Sequence, residues 1–244
     1  MDTTNKNLEQ FKILDVPFNG LTYQAALAIL LDFLQTSKNH IIVTPNPEAV
    51  MLAQRNKNFG KILNAADLVL PDAIGIILAA KWLKLPITER VPGCDITQDL
   101  LKTATTSSCY LLGAAPTIAE KAAQNLREQG VNVVGFRDGY YKPEEMSTII
   151  EEINLLKPDI LILGMGMPRQ ENWAFQNKDN LPCKITLCVG GTIDVIAGNV
   201  KRAPKIMRKA GLEWLYRLAT NPSRAKRMLD LPRFVVAVVK RGKQ

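Results

Sequence analysis

The chain has 244 residues, of which 47% are hydrophobic and 22% are charged, and a formal net charge of +8. This composition is typical of a globular protein and excludes a disordered or fibrous chain. The length suffices for one large α/β domain, alone or with an appendage. No stretch reaches the roughly 20 apolar residues of a membrane-spanning helix, and residues 1–10 are polar, so we expect no signal peptide.

Apolar, β-branched runs alternate with helical patterns along residues 1–197. The predicted strands are, in chain order, 41–44, 68–70, 110–113, 131–136, 159–164 and 185–189. The predicted helices are 47–55, 73–83, 95–103, 116–129, 143–156 and 168–176, with Asp95 as the N-cap of the third. This alternation predicts a Rossmann-like, mostly parallel sheet with helices on both faces.

Basic residues are concentrated at the end of the chain. Residues 198–244 contain 13 Lys and Arg against 2 Asp and Glu, whereas residues 1–197 contain 18 against 21. We therefore predict an α/β core at 1–197 and a basic appendage at 198–244, in which 204–219 forms one helix. The appendage fits a membrane surface, because apolar residues accompany its charges. A solvated tail stays open, whereas nucleic-acid binding would call for interleaved aromatic side chains.

The cysteines and the histidine exclude several kinds of site. Four cysteines show no CxxC spacing and are expected to be reduced core residues. His40 is the only histidine, which excludes His-rich zinc sites and disfavours Ser-His or Cys-His catalysis. A catalytic acid or base is therefore expected to be a carboxylate.

Polar residues follow the predicted strands at the edge where ligands bind in such sheets. Thr44 and Asn46 follow the first strand, where they can bind a ligand or cap the next helix. Asp72 follows the second strand and is either an N-cap or a general base at the mouth of a cleft. Arg90 lies in a Pro/Gly loop and either binds an anionic group or is solvated.

The segment from Gly164 to Trp173, GMGMPRQENW, is the densest motif. Its glycines permit close backbone approach, and the helix start can hold phosphate or sugar oxygens. Arg169 replaces the third glycine of a dinucleotide fingerprint, which disfavours a nicotinamide cofactor. Asp194, after the last strand, can accept hydrogen bonds from a base or ribose, or cap a helix.

These motifs together resemble those of the WecG/TagA/CpsF glycosyltransferases, and most of all the TagA type, which begins wall teichoic acid synthesis. The resemblance covers about residues 10–240. It rests on Gly164 to Trp173 together with Thr44-Pro45-Asn46, Leu70-Pro71-Asp72-Ala73 and Gly190-Gly191-Thr192-Ile193-Asp194. It implies a fold of the GT-E type with a C-terminal appendage that completes the site.

The resemblance also implies a reaction and roles for residues. ManNAc would pass from UDP-ManNAc to the 4-hydroxyl of GlcNAc-diphosphate-undecaprenol in a β(1→4) linkage, with inversion and without a metal or other cofactor. Asp72 would be the base, Thr44, Asn46, Arg90 and Gln170 would line the sugar pocket, and Asp194 would hold the uridine. From the appendage, Arg217, Arg224 and Arg227 would approach the diphosphate.

The same resemblance implies a cytoplasmic enzyme that docks peripherally on the inner face of the cell membrane through residues 201–243, without nucleic acid. A homo-oligomer away from the membrane stays open. The sequence also leaves open whether the donor is UDP-ManNAcA or another UDP-hexose, since Arg90 can supply the cation that a uronate needs. The alternative from another class is a non-enzymatic basic module that binds nucleic acid or lipid.

Overall fold

The computed structural model describes residues 8–209, 211–220 and 229–242. The strands are β1 Gln10–Ile13, β2 Val16–Asn19, β3 His40–Val43, β4 Leu68–Val69, β5 Ser108–Gly113, β6 Asn132–Arg137, β7 Ile160–Gly164 and β8 Ile185–Cys188. The α-helices are α1 Tyr23–Phe33, α2 Pro47–Arg55, α3 Lys57–Asn64, α4 Ile74–Trp82, α5 Gly93–Thr103, α6 Pro116–Glu128, α7 Met146–Leu156, α8 Arg169–Asn177, α9 Thr192–Ile196, α10 Lys205–Lys209, α11 Glu213–Thr220 and α12 Asp230–Arg241. Short 3₁₀ helices cover Pro143–Glu145 and Lys178–Asn180.

Six strands form one parallel sheet in the order β4–β3–β8–β7–β5–β6. This confirms the predicted Rossmann-like α/β class. The remaining two strands, β1 and β2, pair as an antiparallel hairpin and, with α1 and α3, add to the predicted elements. Successive strand residues alternate between two apolar layers, so both faces of the sheet are buried.

Helices cover each face of the sheet. Buried side chains of α2, α3, α4, α7, α8 and α12 pack in one layer with strand residues such as Ile41 and Leu163. Those of α1, α5, α6 and α9 pack in the other layer with residues such as Ile42 and Ile162. The four cysteines are buried, as predicted for core residues.

The predicted single helix over 204–219 is wrong. The chain forms α10 and then α11, with Gly211 between them at a φ of +72°. A side chain is excluded there, since a Cβ at position 211 would lie 2.7 Å from an atom of Ile74. This break lets the segment turn back onto the core at the start of α4.

The last helix, α12, rests on the core. It packs against α2 and α4, and its Phe234 and Val238 are buried in the same layer as those helices. Two guanidinium nitrogens of Arg55 each donate a 2.8 Å hydrogen bond to the carboxylate of Asp230 at the start of α12. Within the described ranges, no helix has the length and apolar character needed to cross a bilayer.

Candidate active site

A cleft lies at the carboxyl ends of β4, β3, β8 and β7, where parallel α/β sheets bind ligands. Its two halves meet at a shared set of residues that includes Asn46, Glu48 and Asp72. The strand-end half is lined further by residues that include Thr44, Gly166, Gln170, Glu171 and Gly190. The C-terminal half is lined further by residues that include Arg90, Cys94, Arg202, Gly211, Glu213 and Trp214. The predicted residues Thr44, Asn46, Asp72, Arg90 and Gln170 thus meet in one cleft.

Asp72 lies where the two halves meet. It precedes α4, but the N-cap of α4 is Ala73 and no side chain caps this helix. Instead, the backbone N–H of Gly93 donates a 3.1 Å hydrogen bond to Asp72 Oδ1. The N-cap interpretation of Asp72 is therefore wrong, and the carboxylate is oriented by the start of α5.

Thr44 and Asn46 line the cleft and also hold its backbone. The Thr44 hydroxyl donates to the carbonyl oxygen of Cys188 at 3.2 Å, which ties the end of β3 to the end of β8. Asn46 is the N-cap of α2, because its Oδ1 accepts from the N–H of Ala49 at 2.9 Å. The capping role predicted as one alternative for Asn46 is confirmed, and it leaves the side chain on the cleft wall.

Gln170 and Glu171 form a buried pair in the strand-end half, with exposed fractions of only 4% and 5%. Gln170 Nε2 donates a 2.8 Å hydrogen bond to Glu171 Oε1, whereas Glu171 Oε2 has no hydrogen-bond partner among the described residues. Burial raises the pKa of Glu171 to about 7, although the hydrogen bond from Gln170 opposes this. Sequence reasoning missed Glu171, because a buried glutamate cannot be distinguished from an exposed one within a polar motif.

Arg90 lies in the C-terminal half and contacts residues of the appendage. Its Nη1 lies 3.8 Å from Glu213 Oε2, and its Nη2 donates to the carbonyl oxygen of Arg208 at 3.4 Å. Since this half contains guanidinium groups, it is the part of the cleft suited to phosphate oxygens.

Arg202, which sequence reasoning also missed, anchors the same segment. Its guanidinium forms a bidentate ion pair with Asp95, in which Arg202 Nη1 donates to Oδ1 and Arg202 Nη2 donates to Oδ2 at 3.0 Å. Burial alone would raise the pKa of Asp95, but Arg202 and the nearby charge of Arg208 lower it below its usual value. The prediction that Asp95 is an N-cap is wrong, because α5 begins at Gly93 with Pro92 as its N-cap.

Of the other predicted residues, only Asp194 has a described side chain. Asp194 is in the first turn of α9 and lies outside the lining of both halves. Its carboxylate faces Gly191, since Asp194 Oδ2 would lie 4.0 Å from a Cβ built on that glycine. Arg224 and Arg227 lie outside the described residues, as does the side chain of Arg217. Within the described ranges, no three His, Cys, Asp or Glu residues form a group that could hold a metal ion.

The buried Glu171 predicts a pH dependence of stability. The unfolded chain releases this proton near pH 4.5 and the folded chain near pH 7, so the contribution of Glu171 to stability falls as the pH rises between these values. Glu171→Gln removes this titration. The unfolding free energy of the variant relative to wild type should rise by on the order of 3 kcal/mol from pH 4.5 to pH 8, measured by urea unfolding.

Glu151→Gln is the matched control, because Glu151 is an exposed glutamate on α7. Its difference from wild type should not change with pH. A Glu171→Gln difference that is equally flat would contradict the buried, protonated carboxyl.

Comparisons with known proteins agree with the motifs. A model of the glycosyl transferase WecG/TagA/CpsF family matches residues 11–244. The N-acetylglucosaminyldiphosphoundecaprenol N-acetyl-beta-D-mannosaminyltransferase of Bacillus spizizenii is 34% identical over 212 residues, which is 85% of this chain and 82% of that protein. The enzyme of the same name from Staphylococcus aureus (strain MRSA252) is 32% identical over 238 residues, or 96% of this chain and 94% of that protein. The chain belongs to the WecG/TagA/CpsF family of glycosyltransferases.

Proposed function

We propose that this protein transfers ManNAc from UDP-ManNAc to the 4-hydroxyl of GlcNAc-diphosphate-undecaprenol, as an N-acetylglucosaminyldiphosphoundecaprenol N-acetyl-β-D-mannosaminyltransferase of wall teichoic acid synthesis. Relatives that bear this enzyme name align with most of the chain. The observation that carries the proposal is the position of Asp72 where a carboxyl-lined and an arginine-bearing half of one cleft meet.

In this proposal Asp72 is the general base. The acceptor 4-hydroxyl oxygen attacks the anomeric carbon of ManNAc and forms the new C–O bond as its proton passes to Asp72. The bond from the anomeric carbon to the β-phosphate oxygen breaks on the opposite face, and UDP departs. Because the hydroxyl oxygen attacks on the face opposite the departing UDP, this single displacement inverts the anomeric centre and gives the β(1→4) linkage. The hydrogen bond from Gly93 to Asp72 supports this role, since it fixes the direction of the carboxylate.

Negative charge develops on the β-phosphate as UDP departs, and arginines are proposed to neutralise it without a metal. A guanidinium matches phosphate oxygens in shape and charge. Arg90 already lines the C-terminal half, and Arg217, Arg224 and Arg227 of the appendage are proposed to complete the set. Asp194 is proposed to bind the uridine from the first turn of α9, which follows β8.

The charges of the cleft support ManNAc over a uronate as the transferred sugar. Two carboxyl residues, Glu48 and Asp72, line the strand-end half, and its described lining includes no Lys or Arg. Arg90, the cation that a uronate would use, lines the other half and contacts Glu213 and Arg208. An uncharged sugar avoids like-charge repulsion there.

We further propose that residues 201–243 dock on an anionic membrane at its cytoplasmic face. Val235 and Val236 are exposed on α12, while Phe234 and Val238 on its other side are buried in the core. Arg233 and Lys240 line one groove together with Val236. An apolar strip bordered by cations binds a lipid surface by burial and by charge.

Asp72→Asn tests the base. The variant should lower kcat about 10²–10⁴-fold, because an amide accepts no proton, while its donor affinity stays near that of wild type. The measurement is transfer from UDP-ManNAc to a short-chain GlcNAc-diphosphate-lipid. Asp32→Asn, at an exposed position on α1, is the control and should be fully active. Near-normal turnover of Asp72→Asn would remove Asp72 from this role.

The double variant Val235→Ser/Val236→Ser tests the membrane surface. Its sedimentation with phosphatidylcholine vesicles that contain phosphatidylglycerol should weaken about tenfold or more, because two apolar side chains no longer enter the lipid. Leu155→Ser changes an even more exposed apolar residue on α7 and should bind as wild type does. Equal binding by all three proteins would place the docking surface elsewhere.

A further inference from the structure

One side chain ties together two loops of the strand-end half. The Oε1 atom of Gln170 accepts hydrogen bonds from the backbone N–H of Gly166, at 3.3 Å, and of Gly190, at 3.0 Å. Gly166 follows β7 and Gly190 follows β8, so Gln170 bridges the ends of two neighbouring strands. This bridge fixes the separation of the two loops.

Gly166 and Gly190 line the cleft and have no side chains of their own. Gly166 and Gly190 have φ angles of +78° and +52°, and a Cβ built on either would meet no atom within 4 Å. Because neither glycine has a side chain, the position of each depends on the bonds that its own backbone makes. The two hydrogen bonds to Gln170 are such bonds.

Glu171 determines which way the Gln170 amide points. A primary amide has one accepting and one donating end, and the two glycine N–H groups require the oxygen on their side. Glu171 Oε1 accepts from the nitrogen on the other side at 2.8 Å. The carboxyl is the acceptor that secures this orientation.

The burial of Glu171 indicates a role beyond packing. A buried carboxyl with one oxygen unpartnered among the described residues costs stability that an apolar side chain of the same size would not. Since Glu171 Oε2 is buried, this oxygen does not contact a ligand in the cleft, and Oε1 accepts from Gln170. Its effect on the cleft passes through Gln170.

We propose that Glu171 is a positioning residue that, through Gln170, holds the Gly166 and Gly190 loops at the floor of the sugar-binding cleft. For its catalytic consequence this inference rests on the proposed function. The hydrogen-bond chain itself can be tested without any substrate.

Amide hydrogen exchange of Gly166 and Gly190, measured by NMR on the full chain, tests the chain of bonds. Glu171→Leu keeps an apolar side chain of similar size but has no acceptor, so exchange at both glycines should rise about tenfold or more. Glu171→Gln keeps a carbonyl acceptor and should leave both amides protected. Gln176→Leu, on the exposed side of α8, is the matched control and should also leave them protected. If Glu171→Leu does not fold, Glu171→Met replaces it.

Transfer kinetics test the consequence. Glu171→Leu and Gln170→Ala should each lower kcat/KM about tenfold, whereas Glu171→Gln should retain most of the activity. The double variant Gln170→Ala/Glu171→Leu should be no worse than Gln170→Ala alone, since both changes break the same series of hydrogen bonds. Additive losses, equal damage from Glu171→Gln and Glu171→Leu, or unchanged glycine exchange in Glu171→Leu would each overturn the proposal. A wild type that transfers no sugar would instead refute the proposed function, and the exchange result would still decide this inference.

Discussion

The parallel pairing of β3, β8 and β7 is the constraint on which the cleft depends. Val43 and Leu163 both pair with Cys188, so the three strands end level with one another. Residues distant in sequence, such as Thr44 and Gly190, therefore emerge at one edge of the sheet. The Thr44 hydroxyl and the Gln170 amide then join neighbouring strand ends. The site is thus built on backbone positions that the buried core already fixes.

The cleft is divided by charge in a way that suits the proposed substrate. Both halves share Glu48 and Asp72, but only the C-terminal half also contains arginines, Arg90 and Arg202, whereas the described lining of the strand-end half includes no Lys or Arg. A UDP-sugar has the same division, with an uncharged sugar at one end and a diphosphate at the other. The appendage contributes to this arrangement, because Arg202 is anchored on Asp95 and the short helices α10 and α11 follow it. In the proposed reaction, a base and a charge-neutralising group thus come from different parts of the chain.

The sequence predicts what depends on local pattern. The strands of the sheet and most helices follow from apolar runs, and the cleft residues follow from their places after strands. The β1–β2 hairpin escapes prediction because its turn, Leu14 and Asp15, adopts positive φ angles without glycine. Asp95 is misread because its partner Arg202 is 107 positions away. The burial of Glu171 likewise arises only when α8 packs against β3 and β8.

Sugar transfer with and without EDTA tests the central claim, a carboxylate base beside arginines that replace a metal, most directly. UDP-ManNAc, UDP-ManNAcA and UDP-GlcNAc are each offered with a short-chain GlcNAc-diphosphate-lipid acceptor. Transfer from UDP-ManNAc should proceed at the same rate in both conditions, with inversion at the anomeric carbon. Activity that disappears with EDTA and returns with a divalent ion would contradict it, as would a preference for the uronate donor.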